Sequence, residues 1–177
     1  MIHSEQKNYE AAVEAMDMAL SLSEETAFLH DLRGRLLLKM GQKERAAEDF
    51  RRELALYSTS PFALYFLGQP KAATARMDSI MAKGDDKQAY NAACVYALCG
   101  NKQQALTYLE RALKSRKYTD FDHIDKDSDL DGLRNDADFK ALVKQYRDAW
   151  EAHLAAERQL LDPRATEGVK NNSTTVK

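Results

Sequence analysis

One stretch, residues 90–116 (YNAACVYALCGNKQQALTYLERALKSR), limits what this chain can become. In its first half Ala89, Ala92, Ala93, Tyr96 and Ala97 recur at the three-and-four spacing of one helix face. Most of these side chains are small, so a second backbone can approach closely. Gly100 follows the last periodic residue, where the left-handed conformation that stops a helix suits only glycine or asparagine. In the second half Ala105, Leu109, Ala112 and Leu113 mark another apolar face, with Gln, Glu, Arg and Lys opposite. So short a connection makes the two helices antiparallel. Such a pair buries one face against itself and leaves a second face that needs a neighbour.

The pattern recurs upstream, and recurrence at a fixed spacing is the mark of a repeat architecture. A turn glycine stands at Gly41, Gly68 and Gly100. Five residues after each comes Ala46, Ala73 or Ala105, and four further on Phe50, Met77 or Leu109. Leu54, Met81 and Leu113 follow after four more, and Ala12, Met16 and Leu20 repeat the series near the N-terminus. The period is 34 residues from Ala12 to Ala46, 27 from Ala46 to Ala73 and 32 from Ala73 to Ala105. Helices are predicted over 8–22, 27–40, 43–57, 60–68, 70–83, 86–99 and 101–116.

This arrangement resembles the tetratricopeptide repeat, a 34-residue helix-turn-helix unit. The residues that carry the resemblance are Leu32-Arg33-Gly34, Gly41, Ala46, Phe50 and Leu54, with a second good match over 87–116. The third unit, 58–85, is degenerate: its first helix lacks about two turns, and Gln69-Pro70 opens the next. The first unit lacks its first helix, because too few residues precede Asn8. The resemblance implies an all-α solenoid of about three and a half repeats over 1–116. An acidic loop with a short helical turn follows at 117–135, then a capping helix at 136–161 and a polar tail or linker at 162–177. The segment SDLDGLRNDADFKALV is similar to the one that closes many bacterial tetratricopeptide arrays, a turn with a Leu-Arg pair and then a final amphipathic helix. Asp136 is the expected N-cap of that helix. Its stripe of Phe139, Leu142, Val143, Tyr146, Trp150 and Leu154 would cover the last repeat.

Composition narrows function. A net charge of -2 gives no general attraction to nucleic acid or anionic membrane. No apolar run approaches the ~20 residues that span a bilayer. The first five residues, MIHSE, hold no basic region followed by an apolar core, so no signal peptide is expected and the cytoplasm or periplasm is the expected compartment. Cys94 and Cys99 are ~7.5 Å apart along one helix axis and cannot bridge.

No catalytic constellation is present. There is no G-x-S-x-G, no phosphate-binding glycine loop and no dinucleotide fingerprint. His3, His30, His123 and His153 are too scattered for zinc, and no cofactor is expected. Residues 120–138 hold eight aspartates. Within them Asp127, Asp129, Asp131 and Gly132, with Asp138 at the twelfth place, fit the start of a calcium loop. Against that reading, the twelfth residue is Asp and not Glu, and Arg134 stands where an apolar anchor belongs. The bland alternative is that these aspartates cap short helices and solvate a loop, while Leu130 and Leu133 point inward.

The resemblance also implies a concave groove lined by the first helix of each repeat. Carried over by position, its residues are Phe28, Asp31, Arg35, Leu38 and Lys39 in the second unit, and Lys87, Tyr90, Cys94, Ala97 and Leu98 in the fourth. The basic and asparagine clamp that chaperone-tail binders use is absent from these places. The expected function is a non-catalytic scaffold that binds a peptide or protein segment. A regulatory or substrate-presenting module of a larger enzyme continuing past residue 177 is one alternative, and a calcium-responsive helical domain is another. The apolar stripe on the first half-repeat would also permit a homodimer.

Overall fold

The computed structural model describes residues 2–23, 26, 28–84, 86–115 and 119–161. The expected polar tail lies outside them, as do the ends proposed at Ala27 and Arg116. Among the described residues the regular structure is helical throughout. The elements are α1 (Ile2–Leu22), α2 (Leu29–Lys39), α3 (Lys43–Leu56), α4 (Pro61–Phe66), α5 (Pro70–Met81), α6 (Ala89–Leu98), α7 (Lys102–Lys114), α8 (Phe121–Lys126) and α9 (Ala137–Leu161). Short 3₁₀ turns occupy Asp86–Gln88 and Ser128–Leu133. α1 begins at Ile2, earlier than the periodicity indicated, because the polar residues before Asn8 carry no apolar signal yet continue the helix.

The repeat glycines do the same work three times. At Gly41 the next N–H, from Gln42, reaches back to the Leu37 carbonyl at 2.8 Å, and Gly41 donates to Leu38 at 3.0 Å. Asn101 and Gly100 donate to Tyr96 and Ala97 in the same register, and so do Gln69 and Gly68 to Leu64 and Tyr65. This is the paired closure of a helix C-terminus, and it needs the left-handed backbone that Gly41 and Gly100 adopt at φ 75° and 74°. α4 is short for a local reason. Ser60 caps its start by accepting from the Ala63 N–H, Pro61 fills the first position, and Gly68 stops it soon after.

α2 packs along α3, α4 against α5 and α6 along α7, so each hairpin closes on itself. Two apolar clusters result. The N-terminal cluster centres on Phe50, with Leu37, Ala46, Ala63 and Val13. Phe50 is 1% exposed, and its ring stacks on Phe66 with centroids 4.9 Å apart. That approach needs a glycine opposite: a Cβ on Gly34 would stand 2.8 Å from Phe50 Cε1. The C-terminal cluster runs from Met77 through the alanine face of α6 and Leu109 to Ile124, Leu130 and Val143. α6 is buried along nearly its whole length, as its small side chains anticipate.

α9 packs against α7. Asp136 accepts from the N–H groups of Asp138 at 2.9 Å and Phe139 at 3.1 Å, the cap its sequence position suggested. The acidic segment, expected as a loop with one short helical turn, carries two short helical elements. It folds into α8 and the 3₁₀ turn Ser128–Leu133, and that turn lies against α6. Leu130 and Leu133 pull it inward, and both are buried.

Candidate functional site

The turn of the acidic segment defines the site. Arg134 clamps its backbone, donating to the carbonyls of Ile124 at 2.8 Å and Asp127 at 2.7 Å. The arginine that argued against a calcium loop therefore has a structural task. With its backbone so held, the turn presents Asp127 to Tyr90 and Cys94 and Asp129 to Arg35. Tyr90 donates its hydroxyl to Asp127 at 2.7 Å, and the Cys94 thiol lies 3.6 Å from the same oxygen. Burial pushes the Cys94 thiol well up, and the Asp127 and Asp129 charges push it further, so this sulfur stays protonated.

Arg35 is the joint between the two halves of the array. Its Nε donates to Asp31 at 2.8 Å and its Nη1 to Asp129 at 2.7 Å, across 94 positions of sequence. The same guanidinium lies 4.4 Å from the Phe62 ring centroid and 5.0 Å from that of Phe66. Burial works against its charge, but Asp31 and Asp129 outweigh it and hold its pKa above the ordinary value. Asp31 and Asp129 are both raised, first by burial, with Arg35 opposing.

Beside this joint opens a trough of about 350 Å³. Met16 of α1 and Leu32, Arg35, Leu36, Leu38 and Lys39 of α2 form one side. Phe66 of α4, Leu98 of α6 and the Ser128-Asp129 step form the other. Of the groove residues expected from position, Arg35, Leu38, Lys39 and Leu98 meet here. Asp31 lies behind them, paired with Arg35. Tyr90 and Cys94 are covered by the acidic turn and do not line the trough. Lys87 sits in the 3₁₀ turn before α6, and Phe28, 66% exposed at φ 67°, stands at the start of α2; neither lines the trough. Position alone missed Met16, Leu32, Leu36 and Phe66. Leu32 and Leu36 were legible as an i, i+4 pair on one face of α2.

The four calcium-loop aspartates take separate partners. Asp131 pairs with Arg134 and Asp138 with Lys102, while Asp129 pairs with Arg35 and Asp127 with Tyr90. Among the described residues the ligand atoms that gather are those of Cys94, Asp127 and Asp129, within 4.8 Å of one another.

On the other side of α2 lies a second polar network that no motif announced. Asp49 accepts from Arg33 through both oxygens at 2.8 and 2.5 Å, and His30 Nδ1 lies 3.2 Å from it. Arg33 also reaches Asp17, tying α1, α2 and α3 together. Close by, Glu53 is fully buried. Neither carboxylate oxygen reaches a hydrogen-bond partner at normal distance and angle. Burial raises its pKa, while the backbone N–H groups of Asp31 and Phe28 oppose. A carboxyl raised in the folded state binds more protons folded than unfolded, so its contribution to stability is lost as pH rises through the raised value. Glu53→Gln should therefore melt above the parent at about pH 7.5, with the gap closing toward about pH 4.5. Thermal unfolding of both proteins across that range checks this, and an equal gap at both ends contradicts it.

These features are those of an all-α solenoid of helical hairpins. Residues 89–118, which include α6 and α7, match the family model "Tetratricopeptide repeat". The chain is also similar to a chloroplast protein of Arabidopsis thaliana, 34% identical over 119 residues, covering 64% of this chain and 33% of the relative. It thus spans about a third of the length of the curated relative it matches. That relative is a plant protein and lends no support to a bacterial source. Among the described residues no helix is long and apolar enough to cross a membrane.

Proposed function

We propose that this chain is a non-catalytic interaction module that holds a peptide-like segment of a partner protein in the trough beside Arg35. The observation that carries the reading is the trough itself. It is concave and largely apolar, and its walls come from α1, α2, α4, α6 and the acidic turn. At about 350 Å³ it falls within the range of ligand pockets, roughly 300–1,000 Å³. The repeat match supports protein partners as the class.

Selection of a random peptide display library on the intact chain tests this. Leu32, 45% exposed on the trough wall, is the residue to alter, because Leu32→Asp changes the surface while leaving the core untouched. Peptides should be enriched on the parent and lose at least about tenfold in affinity on Leu32→Asp. A library that yields no peptide sensitive to Leu32→Asp overturns the reading.

A further inference from the structure

We propose that Cys94, Asp127 and Asp129 form a site for a borderline-soft divalent metal ion of the zinc type, with His123 as the fourth ligand. The fold gathers these residues from separate elements. Cys94 comes from α6, His123 from α8, and both aspartates from the turn that Arg134 clamps. The ligand atoms of Cys94, Asp127 and Asp129 lie within 4.8 Å of one another. In a tetrahedral zinc site, with bonds of about 2.3 Å to sulfur and about 2.0 Å to nitrogen or oxygen, neighbouring ligand atoms stand about 3.3–3.5 Å apart. Cys94 Sγ is 3.6 Å from Asp127 Oδ2, and His123 Nε2 is 3.4 Å from the same oxygen. Two edges of such a tetrahedron are thus already in place. The His123 side chain is 52% exposed, so its ring can turn toward the sulfur without disturbing the core.

Charge at the site calls for a cation. Asp31 and Asp129 share the single guanidinium of Arg35, while Asp127 meets the Tyr90 hydroxyl, the Cys94 thiol and the His123 ring. Lys39 adds a smaller charge at Asp129. Three carboxylates thus face two permanent cations. Asp31, 6% exposed, is left with one carboxylate oxygen that no donor reaches, and its charge and that of Asp129 repel. An uncompensated negative charge in a partly dry site is costly, and a divalent ion removes it. The sulfur selects the kind of ion. Calcium takes roughly six to eight oxygens, whereas thiolate, carboxylate and imidazole together suit zinc. Binding replaces the Cys94 S–H bond with a sulfur–metal bond, and the thiol proton leaves to solvent. The bound ion ties α6, α8 and the acidic turn together.

Cobalt(II) is the probe, because a cobalt–thiolate bond gives a charge-transfer absorption in the near ultraviolet. The intact chain is freed of metal with a chelator under reducing conditions and titrated. The band should saturate at about one equivalent, with about one proton released in weak buffer, and zinc should abolish it by displacement. Cys94→Ser should lose the band, and Cys99→Ser should keep it. Asp127→Asn leaves the thiol in place and can still accept from Tyr90, so it keeps the test decisive if Cys94→Ser does not fold. Asp127→Asn and His123→Ala should each bind zinc at least about tenfold more weakly than the parent, the lower end of the cost of disturbing even an outer partner of a metal ligand. Zinc should raise the melting temperature of the parent more than that of either variant. No band in the folded parent, a band that survives Cys94→Ser and vanishes in Cys99→Ser, or equal zinc affinity in the parent and in Asp127→Asn or His123→Ala overturns the proposal.

Discussion

Arg35→Ala is expected to lower stability by about 3 kcal/mol, because removing one partner of a buried ion pair leaves an uncompensated charge behind. Here two are left, on Asp31 and Asp129, and the Phe62 and Phe66 rings lose the cation between them. The damage should be local in an informative way. Asp129 belongs to the acidic turn, so the turn should loosen from α6 and the Tyr90 and Cys94 contacts with it. Urea unfolding measures the loss, and thiol labelling of Cys94 reports the opening, since that residue is 2% exposed in the intact fold. The triple change Arg35→Leu, Asp31→Asn, Asp129→Asn should recover much of the loss, because it removes the stranded charges as well as the cation. A cost below about 1 kcal/mol would mean that the joint is an ordinary surface pair.

Phe50→Ala should cost about 3–5 kcal/mol, the usual range for emptying a buried aromatic site. Phe50 fills the space above Gly34 and stacks on Phe66, so no neighbour can collapse into the void without moving α2 or α4. Repeat arrays hold together by nearest-neighbour contacts, so the loss should fall on one end of the row. Trp150, the sole tryptophan, packs on the other cluster with α9. In Phe50→Ala the helical circular dichroism signal should begin to fall before Trp150 fluorescence changes. Coincident transitions would show that the two clusters unfold as one unit.

Much of the fold is legible in the sequence because each helix announces itself twice, by an apolar stripe and by a stop. Gly41, Gly68 and Gly100 mark the turns, and Ser60-Pro61 with Gly68 marks the shortened α4. The acidic segment reads as a loop with a short helical turn, and what stays hidden is the partners its aspartates take, Arg35 for Asp129 and Tyr90 for Asp127. Half of the trough is also hidden from sequence. Position within a repeat indicates which residues face the concave side, but not what covers them. A contact such as Arg35 to Asp129 joins residues 94 positions apart, and no local pattern encodes it.

The most direct test of the account is to map where a selected peptide binds, by backbone-amide and methyl NMR shifts of the intact chain. The account predicts the largest shifts at Leu32, Leu36, Leu38, Phe66 and Leu98, with little change on the face formed by Arg45, Glu48 and Arg52. Largest shifts at Arg45, Glu48 and Arg52, with the trough residues still, would contradict it.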